Sequence, residues 1–308
     1  MAGRKCKTSE TFDTGVAMLC VYNSMVEDFR ETLNFSGNSD CFKKIGSIAE
    51  HRALKFPAKS QAPVHVFKRV YQCERFFKRF TAVNDACNEK ERVERSYQGF
   101  LDTQRRISEP KRLSLSTLRV LRFARGLLRG VLGRYDREEH MSCCRFGKRA
   151  SVGNPYKESY LDSKLRGPIT GSVPHVSWFT EYLESDPLLK DIMNEPGNWL
   201  DRVEVCESLK MSDVPKSWDK RRLIKANTLL GGFYTLGLGK CLERRLRKIG
   251  LDIRRSPVRH GELSRIHSKV DGKLATADLS AASDSITISL LNMLLPRDWF
   301  NAVKFGRI

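Results

Sequence analysis

Long hydrophobic runs are absent from this 308-residue chain. A membrane-spanning helix needs about 20 consecutive apolar residues, and the most apolar early stretch, residues 16–22, is much shorter. That stretch also lacks the small-residue cleavage context of a secretory signal peptide. Internal repeats and long low-complexity tracts are missing as well. The sequence therefore predicts no membrane span and gives no sign of export.

Cysteines at the spacing of a disulfide framework or a zinc site are missing too. The chain has nine cysteines, an odd number at irregular spacings without a Cys-x-x-Cys unit. Disulfide frameworks and zinc knuckles use paired cysteines, so reduced thiols in a cytoplasm are the simpler interpretation. Cys143 and Cys144 are adjacent, and His140 nearby completes no recognisable zinc ligand set. No histidine forms a local nucleophile signature with Cys or Ser, which argues against an acyl-transfer enzyme.

Acidic residues are too few to balance the basic ones. Lysine and arginine number 55 against 36 aspartates and glutamates, giving a net charge of +19 and a pI near 9.7. Such an excess is typical of proteins that hold a phosphate backbone, and binding of that kind weakens as salt rises. With 40% hydrophobic residues, the chain is also long enough for a sizeable core and about two domains or subdomains.

Part of this positive charge follows a helical pattern beside a row of leucines. The residues concerned are Arg119, Arg122, Arg125 and Arg129, with Leu118, Leu121, Leu128 and Leu132. Such a helix is compatible with the lining of an RNA channel, with an anionic membrane surface, or with simple exposure of its cations. The sequence leaves these three interpretations open.

A second basic segment, residues 67–80, interleaves aromatic and cationic side chains. Exposed aromatic rings between cations can stack nucleic-acid bases. Aromatic residues at helical spacing are more often part of a core, however. We therefore favour the core interpretation and include none of these rings in the predicted site.

Two carboxylates occur in the octet DLSAASDS, residues 278–285. Residues 274–277 read as a short buried strand, which leaves Asp278 at its carboxyl end. Apolar residues recur at helical spacing from residue 286 to 295, until Pro296 ends the run. Asp284 and Ser285 are then expected near the start of that helix, where Asp and Ser are favoured caps. Without further information, a capping role for these carboxylates is favoured over a metal site.

The same octet also suits nucleotide transfer. Magnesium prefers oxygen ligands, and bound magnesium ions stabilise the attacking and leaving oxygens at a phosphate. An aspartate at the end of a rigid strand is a reasonable ligand, and a second aspartate can accept hydrogen bonds from sugar hydroxyls.

Upstream, a run of cations at Lys216, Lys220, Arg221 and Arg222 suits the phosphates of a nucleoside triphosphate. A solvated charge run before a helix is the alternative, and composition alone favours it. Pro215 and the flanking serines predict a loop over residues 212–217. Beyond it, Phe233, Leu236, Leu238 and Leu242 form an apolar stripe, with cations on the other faces. This pattern predicts an amphipathic helix whose basic side meets nucleic acid or water.

The octet, with residues 274–276 before it and Ile286 after it, closely resembles the first palm motif of replicases from positive-strand RNA bacteriophages of the levivirus, or Qβ-like, group. The basic stretch from Val214 to Asp252 is similar in order and spacing to their basic fingers motif, and residues 144–147, 150–151 and 169–172 resemble part of their fingers region. The resemblance is strongest over the last third of the chain. It reverses the preference for the capping and charge-run interpretations.

The resemblance implies an α+β right-hand polymerase fold with fingers and the start of a palm. A mostly helical N-terminal and fingers region is expected over residues 1–205, and the basic fingers motif and first palm strand and helix over residues 206–308. Asp278 would ligate Mg²⁺, Asp284 would select a ribose by its 2′-hydroxyl, and Ser283 would orient the sugar or that carboxylate. The four cations at positions 216, 220, 221 and 222 would hold the triphosphate.

The family pattern is not matched everywhere. The family often has Lys where this chain has Asp219, Asp where it has Arg221, and a Glu-Pro pair at positions 227 and 228. It also needs a later Gly-Asp-Asp hairpin, which does not occur in these 308 residues. We therefore expect a replicase fragment with an incomplete palm and no thumb, inactive alone.

The resemblance thus implies template-directed RNA synthesis in viral RNA replication. Its partners would be an RNA template and product, nucleoside triphosphates and the host translation elongation factors Tu and Ts, in the host bacterial cytoplasm. Two alternatives remain open, a non-catalytic basic RNA-binding protein and, less favoured, a reverse transcriptase. A reverse transcriptase usually has a bulky side chain where the ribose hydroxyl would sit, whereas this octet has Ser283 and Asp284.

Overall fold

The computed structural model describes residues 14–33, 43–54, 64–77, 89–109, 112–209, 211–217, 220–270 and 281–307. These ranges are mostly helical, with a few short strands, as the sequence predicted. The helices are α1 (Thr14–Leu33), α2 (Ile48–Ala53), α3 (Val64–Arg75), α4 (Glu89–Ser108), α5 (Leu115–Leu132), α6 (Arg137–Cys143), α7 (Leu161–Arg166), α8 (Val173–Ser185), α9 (Pro187–Asn194), α10 (Leu229–Lys248), α11 (Ser256–Val270), α12 (Ile288–Leu294) and α13 (Arg297–Phe305). The strands are β1 (Ile169–Gly171), β2 (Val203–Val205), β3 (Met211–Ser217) and β4 (Lys220–Lys225).

The chain divides into two compact units. The first comprises Met1–Gly99 with Asp213–Leu223, and the second comprises Phe100–Ser212 with Ile224–Ile308. Each unit has its own cluster of buried hydrophobic side chains. The predicted division at residues 205 and 206 separates polymerase regions rather than compact units, and it stays a prediction.

The core of the first unit forms between α1, α2 and α3. On α3, Val66, Val70 and Cys73 recur at helical spacing and are all buried, so this face of the helix packs inward. Phe77, just beyond the helix, is 1% exposed, whereas Tyr71 is exposed. The core interpretation of the aromatic segment is therefore confirmed for Phe77. The side chains of residues 67, 68 and 78–80 lie outside the described part of the chain.

The core of the second unit is built around α10. The predicted stripe is buried at Phe233 and Leu238 and half-buried at Leu236 and Leu242. Thr228 begins the helix by accepting a hydrogen bond from the Gly231 N–H at 3.1 Å, as a favoured N-cap does. The helix packs against α6, α8, β1 and α13. The predicted amphipathic helix is thus confirmed and forms the centre of this unit.

A small parallel pair, β1 and β2, lies against α10. Its register joins Ile169 to Val203 and Gly171 to Val205. The Thr170 hydroxyl donates to the Val152 carbonyl at 2.8 Å and accepts from the Leu229 N–H at 2.9 Å. This buried threonine therefore ties the strand to the start of α10.

The predicted loop over residues 212–217 is wrong, because this segment forms β3. It pairs with β4 in a two-stranded sheet. Pro215 has no N–H to donate, but each strand of this described sheet has only one neighbour, and proline is tolerated on such an edge. The turn chemistry of proline and serine was therefore a poor guide in this segment.

The apolar run before Pro296 forms a helix, but the helix begins later than predicted. It starts at Ile288, and Thr287 is its N-cap, whose hydroxyl accepts from the Leu290 N–H at 3.1 Å. Asp284 lies instead in a separate 3-10 turn. The capping interpretation of Asp284 and Ser285, which the family resemblance had made the less favoured one, is therefore wrong. Several residues of this segment are suitable caps, so their types alone could not fix the start of the helix.

Candidate functional site

The predicted palm site is described only in part. Asp278, Ser280 and the predicted strand over residues 274–277 lie outside the described residues. The structure describes the chain again from Ala281 onward, including Ser283, Asp284 and Ser285. The geometry of the predicted magnesium ligand therefore stays a prediction.

Asp284 lies in an exposed 3-10 turn, Ser283–Ser285. Its carboxylate Oδ1 accepts a hydrogen bond from the Ser283 hydroxyl at 3.3 Å. Its backbone carbonyl accepts from the Gln104 side chain of α4 at 3.3 Å. The turn is closed by the Ser285 hydroxyl, which donates to the Ala281 carbonyl at 2.8 Å. The carboxylate thus faces solvent on an anchored backbone and is available to a ligand.

The residue at the start of this turn has an unusual backbone conformation. Ala281 has a φ of 51°, in the left-handed region that costs an L-residue about 1–2 kcal/mol. Such strained positions are concentrated at binding and catalytic sites.

The predicted triphosphate-binding cations lie on β3 and β4. Lys216 is on β3 and exposed, and Arg222 is on β4 and exposed. Lys220 begins β4, and its side chain lies outside the described part. Side chains of a strand alternate between its two faces, so Arg221 has a different environment from Arg222.

Arg221 is held by acidic residues of its own unit. Its Nε pairs with the Asp213 carboxylate of β3, and its Nη1 pairs with Glu89 of α4 at 3.1 Å. Its backbone N–H donates to the Ser96 hydroxyl at 3.0 Å. The side chain is 16% exposed. In this arrangement the guanidinium stabilises the first unit, and phosphate binding would require it to leave two carboxylates.

The cations of α10 also have acidic partners. Glu243 is 9% exposed and pairs with Lys240 at 3.1 Å, Arg247 at 2.8 Å and Arg254 at 2.8 Å. The hydrogen bond from Lys240 is the main cause that lowers the pKa of the Glu243 carboxyl. Arg245 pairs with Glu139 of α6. The predicted exposure of this basic face to nucleic acid or water is therefore wrong for Lys240, which pairs within α10, and for Arg245, which joins α10 to α6.

The predicted arginine-rich helix is confirmed as α5. Leu121 and Leu128 are half-buried and Leu132 is buried, whereas Leu118 is 40% exposed. The four arginines are all exposed, namely Arg119, Arg122, Arg125 and Arg129. In the part of the chain that the structure describes, no helix is both long and apolar enough to cross a membrane. The helix therefore presents a row of cations at the surface of the second unit.

The fold brings two further arginines, which lie outside α5, beside this row. Arg134 follows α5, and Arg297 begins α13. Both line the same groove as Arg125 and Arg129. The sequence reasoning missed them because Arg297 is distant in the chain and no local periodicity connects it to α5.

The cysteines near His140 lie in the core of the second unit. Burial raises the pKa of the Cys144 thiol to about 12, and the thiol donates to the His140 carbonyl at 3.3 Å. The His140 ring lies between the Tyr135 hydroxyl, 2.8 Å from Nδ1, and the Tyr234 carbonyl, 2.9 Å from Nε2. A carbonyl can only accept, so Nε2 carries the proton. These groups form a packed hydrogen-bonded cluster.

Comparisons with known proteins agree with the resemblance to phage replicases noted in the sequence. The family described as RNA replicase, beta-chain, matches residues 32–307. The chain is 27% identical to the RNA-directed RNA polymerase beta chain of Enterobacteria phage GA over 181 residues, which cover 58% of this chain and 33% of that protein. It is 39% identical to the RNA-directed RNA polymerase subunit beta of Escherichia virus Qbeta over 95 residues, or 30% of this chain and 16% of that protein.

A similar match involves the RNA-directed RNA polymerase subunit beta of Enterobacteria phage SP, with 38% identity over 98 residues, 32% of this chain and 17% of that protein. The matched stretches thus span a third or less of these relatives. The family match, in contrast, extends over most of this chain, from residue 32 to residue 307. The chain belongs to the RNA replicase beta-chain family.

Proposed function

We propose that this chain provides the fingers and the first palm motif of an RNA-directed RNA polymerase that replicates viral RNA. The family match over residues 32–307 carries this proposal. The names of the related phage proteins support it, as does the basic composition of the chain. In this proposal the fold is that of a right-hand polymerase.

The proposed reaction extends an RNA strand by one nucleotide. The 3′-hydroxyl of the strand loses its proton to solvent and attacks the α-phosphate of a nucleoside triphosphate. A new P–O bond forms as the bond between the α- and β-phosphates breaks, and pyrophosphate leaves with the electrons of that bond. Negative charge grows on the phosphates during this step, and cationic side chains stabilise it. Lys216 and Arg222 are exposed and suit this role, as does Lys220 by its position at the start of β4.

Arg221 is also among the residues proposed to bind the triphosphate, but only if it exchanges its present partners. Its guanidinium is engaged by Asp213 and Glu89, so it reaches a triphosphate only if the phosphates displace these carboxylates. A triphosphate carries more negative charge than either carboxylate and offers several oxygens to a planar guanidinium. Exchange of one set of acceptors for the other is therefore chemically reasonable.

Asp278 is the proposed ligand of Mg²⁺, which when bound would supply charge stabilisation at the reacting phosphate. Among the described residues, no group of three or more His, Cys, Asp or Glu could hold a metal ion. Asp284, the described carboxylate of the octet, therefore makes no metal site with its described neighbours. The proposal for Asp278 rests on the octet alone, and no step of the reaction is derived from its geometry.

Asp284 and Ser283 are proposed to select the sugar. The Asp284 carboxylate is exposed, and among the described residues its one hydrogen bond comes from the neighbouring Ser283 hydroxyl. An ionised carboxylate has lone pairs for further donors, and the 2′-hydroxyl of a ribose is such a donor. A deoxyribose lacks it, so we expect a preference for ribonucleotides.

The proposed partners are an RNA template and product and nucleoside triphosphates. The motif resemblance also implies the host translation elongation factors Tu and Ts, and action in the cytoplasm of the bacterial host. Co-purification of both factors with the tagged protein from infected cells would support these two partners. Recovery of the protein without them would remove them from the proposal.

The central test is nucleotide incorporation by a variant of the proposed metal ligand. Asp278→Asn should be compared with Asp191→Asn, which changes an exposed aspartate of α9, in protein expressed from the complete reading frame. Loss of an electrostatic stabiliser at the reacting centre costs at least about 100-fold in rate. We expect that loss for Asp278→Asn alone, with unchanged RNA affinity.

Other outcomes of this test have distinct meanings. Normal turnover by Asp278→Asn would remove Asp278 from the metal site. A wild-type preference for deoxynucleotides would contradict the ribose-selecting role and favour a reverse transcriptase. RNA affinity without incorporation by the wild-type protein would instead favour a non-catalytic RNA-binding protein.

A further inference from the structure

A groove of about 750 Å³ opens on the surface of the second unit, between the end of α5 and the start of α13. We call it the arginine groove. Four arginines line it, together with one aspartate, one asparagine and two small or cyclic residues: Arg125, Arg129, Arg134, Arg297, Asp298, Asn301, Gly133 and Pro296. Its lining is therefore strongly basic.

The four guanidinium groups have no acidic partner among the described residues. Each arginine is exposed, and none takes part in any of the ion pairs of the described chain. Arg297 lies over the Phe300 ring at 6.0 Å, a contact that leaves its hydrogen-bond donors unused. In this respect the groove differs from α10, where cations are paired with Glu243 and Glu139.

The one acidic residue of the lining is committed to the backbone. Asp298 Oδ2 accepts from the Tyr135 N–H at 2.7 Å, and its Oδ1 accepts from the Trp299 N–H at 2.9 Å. Both carboxylate oxygens are thereby engaged in the fold. The aspartate shapes the groove without pairing with the arginines, and the lining keeps an excess of positive charge.

The two walls of the groove are held together beneath the surface. Trp299 of α13 is 1% exposed, and its Nε1 donates to the Gly133 carbonyl at 3.1 Å. Leu132, at the end of α5, belongs to the same buried cluster. The Gly133 N–H donates back to the Arg129 carbonyl at 3.0 Å and ends the helix. The arginines are therefore presented from a rigid base, which limits the entropy lost on binding.

We infer that the arginine groove binds consecutive phosphates of an RNA strand without reading its sequence, an inference that rests on the proposed function. Guanidinium groups offer planar forks of donors that match phosphate oxygens. The residues that line the groove include no aromatic ring on which a base could stack. Contacts of this kind position a strand and carry no sequence information.

A strand fits this surface better than a free nucleotide does. The basic row continues from the groove along α5 through Arg122 to Arg119, both exposed and spaced three residues apart on one helix face. An extended row of cations matches a polymer of phosphates. A concave groove also matches a strand better than it matches a flat anionic membrane.

Fluorescence anisotropy of the whole chain with a labelled single-stranded RNA of about 20 nucleotides tests this inference. The affinity should be measured between about 50 and 200 mM salt, because each phosphate contact to a single strand contributes about 0.7 to the slope of log affinity against log salt. For Arg129→Gln with Arg297→Gln, we expect about tenfold weaker binding and a slope reduced by about 1 to 1.5.

A matched control is Arg259→Gln with Arg307→Gln. Both residues are exposed and lie outside the groove, and the pair removes the same total charge. A second groove variant, Asn301→Asp, adds a carboxylate at an exposed position of the lining with almost no change of volume. It should also weaken binding and tests the groove independently if the double variant does not fold.

The control pair should retain nearly the wild-type slope. Equal losses for the groove pair and the control pair would indicate diffuse charge and overturn the inference. An unchanged slope in the folded groove variants would overturn it too, while leaving the proposed polymerase intact, because incorporation and the Asp278→Asn result are measured separately. Absence of RNA binding by the wild-type chain would defeat both proposals.

Two competitors identify the source of the phosphates. Inorganic tripolyphosphate that displaces the RNA from wild-type protein at equal phosphate concentration would indicate a free-triphosphate site and overturn the strand assignment. Binding to phosphatidylserine vesicles that falls with Arg129→Gln and Arg297→Gln, without a loss of RNA affinity, would assign the groove to a membrane instead. For an RNA strand, we expect little displacement of the RNA by tripolyphosphate and no vesicle binding that depends on Arg129 and Arg297.

Discussion

Gly237 of α10 faces Cys144 so closely that a β-carbon at position 237 would overlap the Cys144 sulfur and would come within 2.9 Å of His140 Cδ2. Only glycine allows this approach. The two residues belong to separate stretches that resemble the same replicase family in sequence. Their contact thus joins the segment around Cys144 to α10, two parts of the chain that are distant in sequence.

Gly237→Ala should destabilise the protein despite the better helix propensity of alanine. Alanine gains about 1 kcal/mol over glycine within a helix, but overpacking of a core costs about 1–3 kcal/mol. The nearest neighbours at position 237 include the Cys144 Cα at 3.1 Å, and backbone yields less readily than a flexible side chain. We expect a net loss of up to about 2 kcal/mol in the free energy of unfolding, measured by urea denaturation.

Gly239→Ala is the matched control, two residues along the same helix. A β-carbon there would have no neighbour within 4 Å, so the gain in helix propensity should appear undiminished, as a rise of about 0.5–1 kcal/mol. Equal effects of the two substitutions would contradict the close approach of α6 and α10.

The helix α10 shows which features of the fold the sequence could predict. The apolar period of Phe233, Leu236, Leu238 and Leu242 predicted the helix because burial selects one face over many residues. The partner of Arg245 could not be predicted in this way. Glu139 is distant from Arg245 in the chain. The sequence of α10 does not show which charged residue of another helix will lie beside it.

The same limit applies to the candidate site. Motif resemblance identified the family and selected Asp284, whose exposed carboxylate the structure describes. The prediction also placed Arg221 and Arg222 in one triphosphate-binding set, although alternation along a strand separates the two side chains. The arginine groove had no signal beyond helical spacing on α5, since folding alone brings Arg297 to it.

The different environments of Arg221 and Arg222 predict different losses of stability when each is substituted. Arg221→Met leaves the Asp213 carboxylate, whose side chain is 25% exposed, without its partner, so we expect a loss of about 1–3 kcal/mol in the free energy of unfolding. Arg222→Met removes an exposed cation and should change that free energy by less than about 0.5 kcal/mol. Chemical denaturation of both variants measures the difference.

Nucleotide affinity is the complementary readout for this pair. Arg222→Met should weaken triphosphate binding in a protein of normal stability, which separates its proposed role from any role in folding. If Arg221→Met proves as stable as the wild-type protein, the ion pairs with Asp213 and Glu89 contribute nothing measurable, and the description of Arg221 as a structural residue is wrong.

Two buried histidines of the second unit predict that the protein loses stability in mild acid. Burial lowers the pKa of both His140 and His175. His140 Nδ1 faces the Tyr135 hydroxyl, and its Nε2 donates to the Tyr234 carbonyl, an arrangement that suits the neutral ring. In the unfolded chain a histidine takes up a proton below a pH of about 6.5.

The sign of the effect follows from the number of bound protons. Below a pH of about 6.5 the unfolded state binds more protons than the folded state, so the free energy of unfolding falls as the pH falls. Each histidine that stays neutral in the folded state contributes about 1.4 kcal/mol per pH unit in that window. Urea denaturation at several values between about pH 5 and 7 measures the slope.

Substitution of His140 tests whether this histidine causes the pH dependence of the free energy of unfolding. His140→Gln should be less stable at neutral pH because it disturbs the buried ring contacts, but its slope below a pH of about 6.5 should fall by up to one proton. His260→Gln removes an exposed imidazole of α11 and is the control for the loss of a histidine as such. If His140→Gln keeps the full wild-type slope, protonation of this buried ring does not drive the loss of stability in acid.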